Sequence, residues 1–147
     1  MPRRRKAREC ALQLMFQWEG DRPDPASLLA AFWQGRKVDH ETLRFAEELF
    51  LGTASAADEI DSLLAAHSEH WKLERMAAVD RNLLRLAVRE LMTRPDTPAA
   101  VVIDEALEIA RRFSSEESVE FINGVLDAVR KALESRAAAG YKKGAEG

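Results

Sequence analysis

An all-α fold is what this sequence predicts, and three observations carry it. Apolar residues recur at spacings of three and four along nearly the whole chain, the signature of helices with one buried face. No stretch alternates apolar and polar residues convincingly enough for a sheet. Capping and breaking residues divide the periodic stretches into about seven helices. The chain has 147 residues, 46% hydrophobic and 32% charged, so it can enclose a core and is not expected to be disordered. The stretch at 66–72 reads as a connection, which gives an N-terminal helical subdomain at 1–68 and a C-terminal one at 69–135. A loose tail is expected at 136–147. Neither half is large enough to be very stable alone, so a substantial shared interface is expected.

The first helix places Ala7, Cys10, Ala11, Leu14 and Trp18 on one face, and Gly20 and Pro23 stop it. Asp24 and Pro25 supply a cap and first position for a short helix through Leu28, Leu29, Ala31 and Phe32, ending near Gly35. Asp39 caps the next element, whose apolar series is Leu43, Ala46, Leu49, Phe50, Thr53, Ala57, Ile60 and Leu64. That series predicts one helix of more than twenty residues, with Gly52 marking close packing or a slight bend. Val79 to Met92 forms a further segment with Leu83, Leu84, Ala87 and Leu91 inward. In "TRPDTPAA", Pro95 ends that segment, while Thr97 and Pro98 are expected to cap and open the next. Val102, Ala106, Ile109, Ala110 and Phe113 make its expected buried face. Ser114 and Glu117 form a capping-box pattern for a last long helix with Ile122, Val125, Val129, Ala132 and Leu133 inward.

Charge is distributed unevenly. The chain carries 22 basic and 25 acidic residues, a net charge of -3, yet Arg3, Arg4, Arg5, Lys6 and Arg8 fall in the first eight positions with no acid among them. The remainder holds 17 basic and 25 acidic residues, or -8. With Ala7 as the zero direction and about 100° per residue, Arg8 falls near 100°, Leu12 near 140°, Arg5 near 160° and Phe16 near 180°. A ring therefore shares the outward side with guanidinium groups. Phosphates attract such cations irrespective of sequence, and an exposed ring stacks an unpaired base, an arrangement suited to single-stranded RNA. Arginine serves better than lysine, because its planar fork donates paired hydrogen bonds and itself stacks. A solubilising basic end is the plain alternative, and membrane-surface or peptide partners are a third.

Other chemistry is thinly represented. No stretch approaches the ~20 consecutive apolar residues of a membrane span. Glu9, Gln13, Gln17 and Glu19 interrupt what would otherwise imitate a signal peptide, so the cytoplasm is the expected compartment. One cysteine, Cys10, excludes an internal disulfide and reads as a buried, inert thiol. His67 and His70 read as surface histidines of a connection, not metal ligands. Asp104, Glu105 and Glu108 pair with Arg111 and Arg112 on a helix surface more readily than they form a catalytic acid pair. No enzyme, cofactor or metal site is expected. Asp80 reads as a helix N-cap, Asn123, about 100° from the core direction, as a residue open to backbone, RNA or nothing, and Gly124 as a point of close helix approach.

Three stretches, "RRRKARECALQLMFQW", "VDRNLLRLAVREL" and "DEALEIARRFSSEESVEFINGVLDAV", resemble in order the NusB family of bacterial transcription antitermination factors. The resemblance covers nearly the full length and is weakest at 20–37 and after Leu133. It implies two three-helix-bundle-like subdomains and a non-catalytic factor that needs no cofactor. Such a factor pairs with the ribosomal protein NusE, binds boxA RNA as a single strand, and works in the RNA polymerase antitermination complex on ribosomal RNA operons. Some relatives form homodimers. Carried over by position, Arg3, Arg4, Arg5, Lys6 and Arg8 would hold RNA. Phe16 would stack where the family usually has tyrosine, and Glu117 and Phe121 would line the RNA site. Asp80 would face NusE, with Arg81 and Arg85 on the same helical segment. Trp71 stands near a position where some relatives place a tyrosine. The RNA-binding domain found ahead of ribosomal RNA cytosine methyltransferases shares this fold, although the sequence carries no methyl-donor segment. A purely structural helical protein is the remaining alternative.

Overall fold

The computed structural model describes residues 2–68 and 72–146, with side chains for 3–68 and 72–139. Among these residues there are seven α-helices and no strand: α1 Pro2–Trp18, α2 Pro25–Trp33, α3 His40–Ser55, α4 Ala57–His67, α5 Ala78–Thr93, α6 Ala99–Phe113 and α7 Glu116–Glu146. A short 3₁₀ turn, Leu73–Arg75, precedes α5.

Helix α5 is the centre of the bundle. It packs against α1, α3, α4, α6 and α7, so it is buried on nearly every side. Leu83, Leu84, Ala87 and Val88 meet the core, as an amphipathic helix requires, while Leu91 is half-buried. Its polar residues Asp80, Asn82, Arg85 and Glu90 are also buried, which periodicity did not indicate. Helix α1 lies along α3 and is nearly as enclosed, with Ala7, Cys10, Ala11, Leu12, Leu14, Met15 and Trp18 buried. Burial raises the Cys10 thiol pKa, so it stays protonated and inert.

Asp24 and Asp39 act as the expected caps, accepting hydrogen bonds from the backbone N–H groups of Ser27 and Thr42 at 3.1 and 2.9 Å. Five expectations need correction. Gly124 marks no close helix approach, since it is exposed and a Cβ there would meet nothing within 4 Å. The single long helix from Asp39 onward is two, because Ala56 (φ -106°, ψ 15°) leaves helical geometry between α3 and α4. Thr97 does not cap α6; the helix begins after Pro98, which has extended geometry and no donor of its own. The cap of α7 comes one residue later than expected: Ser115 Oγ accepts from the Ser118 N–H at 3.1 Å, while Ser114 is occupied elsewhere. Finally, the tail does not leave helical geometry at 136, since α7 continues to Glu146. Residues 134–139 are exposed, so their helicity rests on good helix formers such as Arg136 and Ala137–Ala139, not on packing.

Candidate nucleic-acid interface

The opening cations part company around the first turn of α1. Arg8 points inward, 5% exposed, and its guanidinium donates two 2.8 Å hydrogen bonds to the Glu90 carboxylate on α5. Leu83, Leu86, Ala87, Val102, Ala106 and Ile109 wall this pair. The expectation that Arg8 holds RNA is therefore corrected: its guanidinium is not open to a strand, and its charge joins α1 to α5. Arg5 stays half-exposed and forks onto Glu105 of α6 at 2.8 and 3.0 Å. That contact holds the Glu105 carboxyl below the usual carboxylate range and raises the Arg5 pKa. Arg3 meets Glu41 of α3 at 3.0 Å with both side chains exposed. Arg4 and Lys6 are exposed and have no acid partner among the described residues.

Phe16 is 55% exposed, the most exposed large hydrophobic side chain described. On α1 the exposed stripe runs through Arg5, Phe16, Gln13, Lys6 and Gln17, with half-buried Glu9 among them. Arg5 and Phe16 share a side of the helix and stand about 16 Å apart along its axis, at 1.5 Å per residue. Glu9 accepts a 3.0 Å hydrogen bond from Arg112 of α6. The two cross-links, Arg5 to Glu105 and Glu9 to Arg112, advance in the same direction along both helices. Phe16, two turns beyond Glu9, is thus carried toward the end of α6 and the start of α7.

Phe113 stands at that end. The 3.6-residue pattern assigns it to the buried face of α6, but it is 49% exposed, with the Arg112 guanidinium 5.3 Å from its ring centre. It is an exposed ring that periodicity missed, because the buried stripe of α6 ends at Ala110 where the helix runs out over solvent. Glu117 is exposed in the first turn of α7, and Phe121 is half-buried against the core. Both line a groove of about 90 Å³ with Met76, Ala77, Asp80 and Ser118. Trp71 lies outside the described residues.

The residues expected to face NusE are committed inside the chain. Asp80 is not the cap of α5, which starts at Ala78; its buried carboxylate accepts hydrogen bonds from Ser114 Oγ at 2.7 Å and Ser118 Oγ at 2.8 Å. It therefore fixes the α6–α7 corner. Arg81 forks onto Glu19 just beyond α1 and also donates to the carbonyls of Leu73 and Met76 at 3.0 and 2.8 Å. Arg85, buried, grips Asp61 of α4 at 2.7 and 2.9 Å and Glu19 at 2.8 Å. Hydrogen bonding from Arg81 is the main cause that draws the Glu19 pKa down. One network of Arg81, Glu19, Arg85 and Asp61 so ties the end of α1 to α4 and α5.

The family model described as "NusB family" matches residues 5–131. The transcription antitermination protein NusB of Koribacter versatilis is 52% identical over 133 residues, covering 90% of this chain and 91% of the relative. That of Solibacter usitatus is 50% identical over 135 residues, covering 90% and 92%. Among solved structures, NusB of T. maritima superposes with a TM-score of 0.77 at 36% identity, covering 87% of this chain and 90% of that one. A crystal structure of the antitermination factors NusB and NusE in complex with double-stranded RNA gives 0.80 at 26% identity, covering 90% and 98%. With sequence and fold in agreement over almost its whole length, the chain belongs to the NusB family.

Proposed function

We propose that this protein is an RNA-binding transcription antitermination factor that pairs with the ribosomal protein NusE, binds boxA RNA and promotes read-through of ribosomal RNA operons. The observation that carries the reading is the exposed Phe16 ring, set on the same side of α1 as Arg5. Exposed rings supply stacking at roughly 1–3 kcal/mol per base, and Arg5, Lys6, Arg3 and Arg4 supply phosphate attraction. The exposed Glu117 carboxylate accepts hydrogen bonds from base amino groups. Support for the partner and the RNA comes from the solved NusB–NusE complex with RNA. Asp80, Arg81 and Arg85 support the surface from beneath, as positioning residues. The protein acts by binding, with no catalytic step.

The test is binding of labelled boxA RNA and a scrambled strand to the protein alone and to its complex with NusE. The expected result is preference for boxA that sharpens in the complex. Equal affinity for both strands in the complex, or no complex with NusE, overturns the reading.

A further inference from the structure

On the flank of α1 away from Arg5, three further arginines gather without enough acid to neutralise them. The Arg94 guanidinium lies 4.2 Å from the ring centre of Phe45, with Arg4 at 5.5 Å and buried Arg8 at 5.3 Å. Glu90 already neutralises Arg8. Arg4 has no acid partner among the described residues, and Arg94 reaches Glu48 only at 3.6 Å, an acid it shares with Arg44 at the same distance. Arg89 is the telling member. It is half-buried, and no hydrogen bond or ion pair satisfies it among the described residues. Its guanidinium presses on the backbone of Gly52, where an added Cβ would stand 2.7 Å from Nε. A mid-helix glycine costs about 1 kcal/mol relative to alanine; here it makes room for an arginine rather than for another helix.

A cavity of about 300 Å³ opens at this corner, lined by Glu48, Leu49, Arg89, Thr93, Arg94 and Asp96. A half-buried cation without an acid partner is unfavourable, and exposed like charges within a Debye length, ~10 Å at 0.1 M salt, repel. An anion with several oxygens relieves both penalties. Arg4, Arg44, Arg89 and Arg94 set against Glu48 and Asp96 leave two positive charges, a surplus that suits the phosphodiesters of a strand. Guanidinium groups already cover the Phe45 ring, so no base stacks there and the contact is blind to sequence.

We propose that the Arg89 and Arg94 corner, which Arg4 joins to the α1 surface, is a second phosphate site that holds the backbone of RNA extending around the N-terminal turn of α1. This rests on the RNA-binding reading above. The experiment compares a minimal boxA strand with the same strand extended by about eight uridines at either end, within the ~4–16 nucleotides that single-strand sites span. Arg89→Gln and Arg94→Gln should leave the minimal strand's affinity unchanged. Each should weaken the extended strand roughly 5-fold at 0.1 M salt and flatten the log-log salt slope by about 0.7. Glu48→Gln, which removes a competing acid without removing an arginine, should tighten the extended strand and covers the case of a variant that fails to fold.

Equal effects on both strands, or none on either, overturn the second site. If Phe16→Ala weakens both strands while the arginine variants change nothing, only the second site falls. If wild type binds neither strand, the first reading falls with it. Inorganic phosphate is the control for a free-ion site: protection of the melting temperature by phosphate, without any dependence on strand length, overturns the backbone assignment.

Discussion

Two arginines three residues apart on α1 form the same bidentate bond to a glutamate and serve opposite ends. Arg8 and Glu90 are sealed among aliphatic side chains, 6% and 3% exposed, whereas Arg5 is 44% exposed over Glu105. In the sealed pair neither charge has an alternative partner, so the pair specifies how α1 docks on α5. In the open pair water, salt and RNA phosphates all compete with Glu105. Identical geometry thus becomes a structural clamp in one case and an exchangeable contact in the other. Solvent access decides between them.

The largest effect should come from breaking the sealed pair. Glu90→Ala leaves Arg8 buried without its acid and should cost about 3–5 kcal/mol in urea unfolding. The double change Arg8→Met with Glu90→Leu should recover most of that loss; if it is as unstable as the single variant, burial of charge is not what makes the site sensitive. The α6–α7 corner comes next. Ser118→Ala removes one of two hydroxyl donors from the buried Asp80 carboxylate, a loss of roughly 1.5–3 kcal/mol by the same unfolding measurement.

On the open side, Phe16→Ala should weaken RNA binding by about 1–3 kcal/mol while leaving the melting temperature within a degree or two, because the ring is exposed. A large fall in melting temperature would assign Phe16 to the core instead. Smaller still is Glu105→Gln. It frees Arg5 from a charged competitor and should strengthen RNA binding by roughly two- to five-fold, with almost no change in stability. Weakened binding would show that Glu105 orients Arg5 for RNA rather than competing for it.

Acid titration separates the regions once more. Arg81 holds the Glu19 pKa below its ordinary value, so that contribution to stability is complete above the unfolded pKa of about 4.3 and disappears as pH falls through the lower, folded value. Glu19→Gln should therefore flatten the loss of stability with acid below about pH 4.5. An unchanged acid limb would remove Glu19 from the linkage between α1 and α5.

Much of this molecule was legible as a string. The caps Asp24 and Asp39, the inward faces of α5 and α7, and the outward position of Phe16 all follow from local rules: a side-chain oxygen reaches a nearby N–H, and apolar residues repeat at the helical period. Those rules act over one or two turns, and the sequence displays them directly. Partnerships across the fold were not legible. Nothing near Arg8 announces Glu90, 82 positions away, or tells Arg8 from Arg5 as the cation that turns inward. Asp80 reads as a cap, and by resemblance Asp80, Arg81 and Arg85 face a partner, until α1, α4 and the α6–α7 corner close over them. Phe113 reads as core until α6 ends above solvent. Periodicity fixes which way a side chain leaves its own helix, but only the packing of other helices decides whether it meets an acid, an apolar wall or water. The free energy of a charge depends on that surrounding medium.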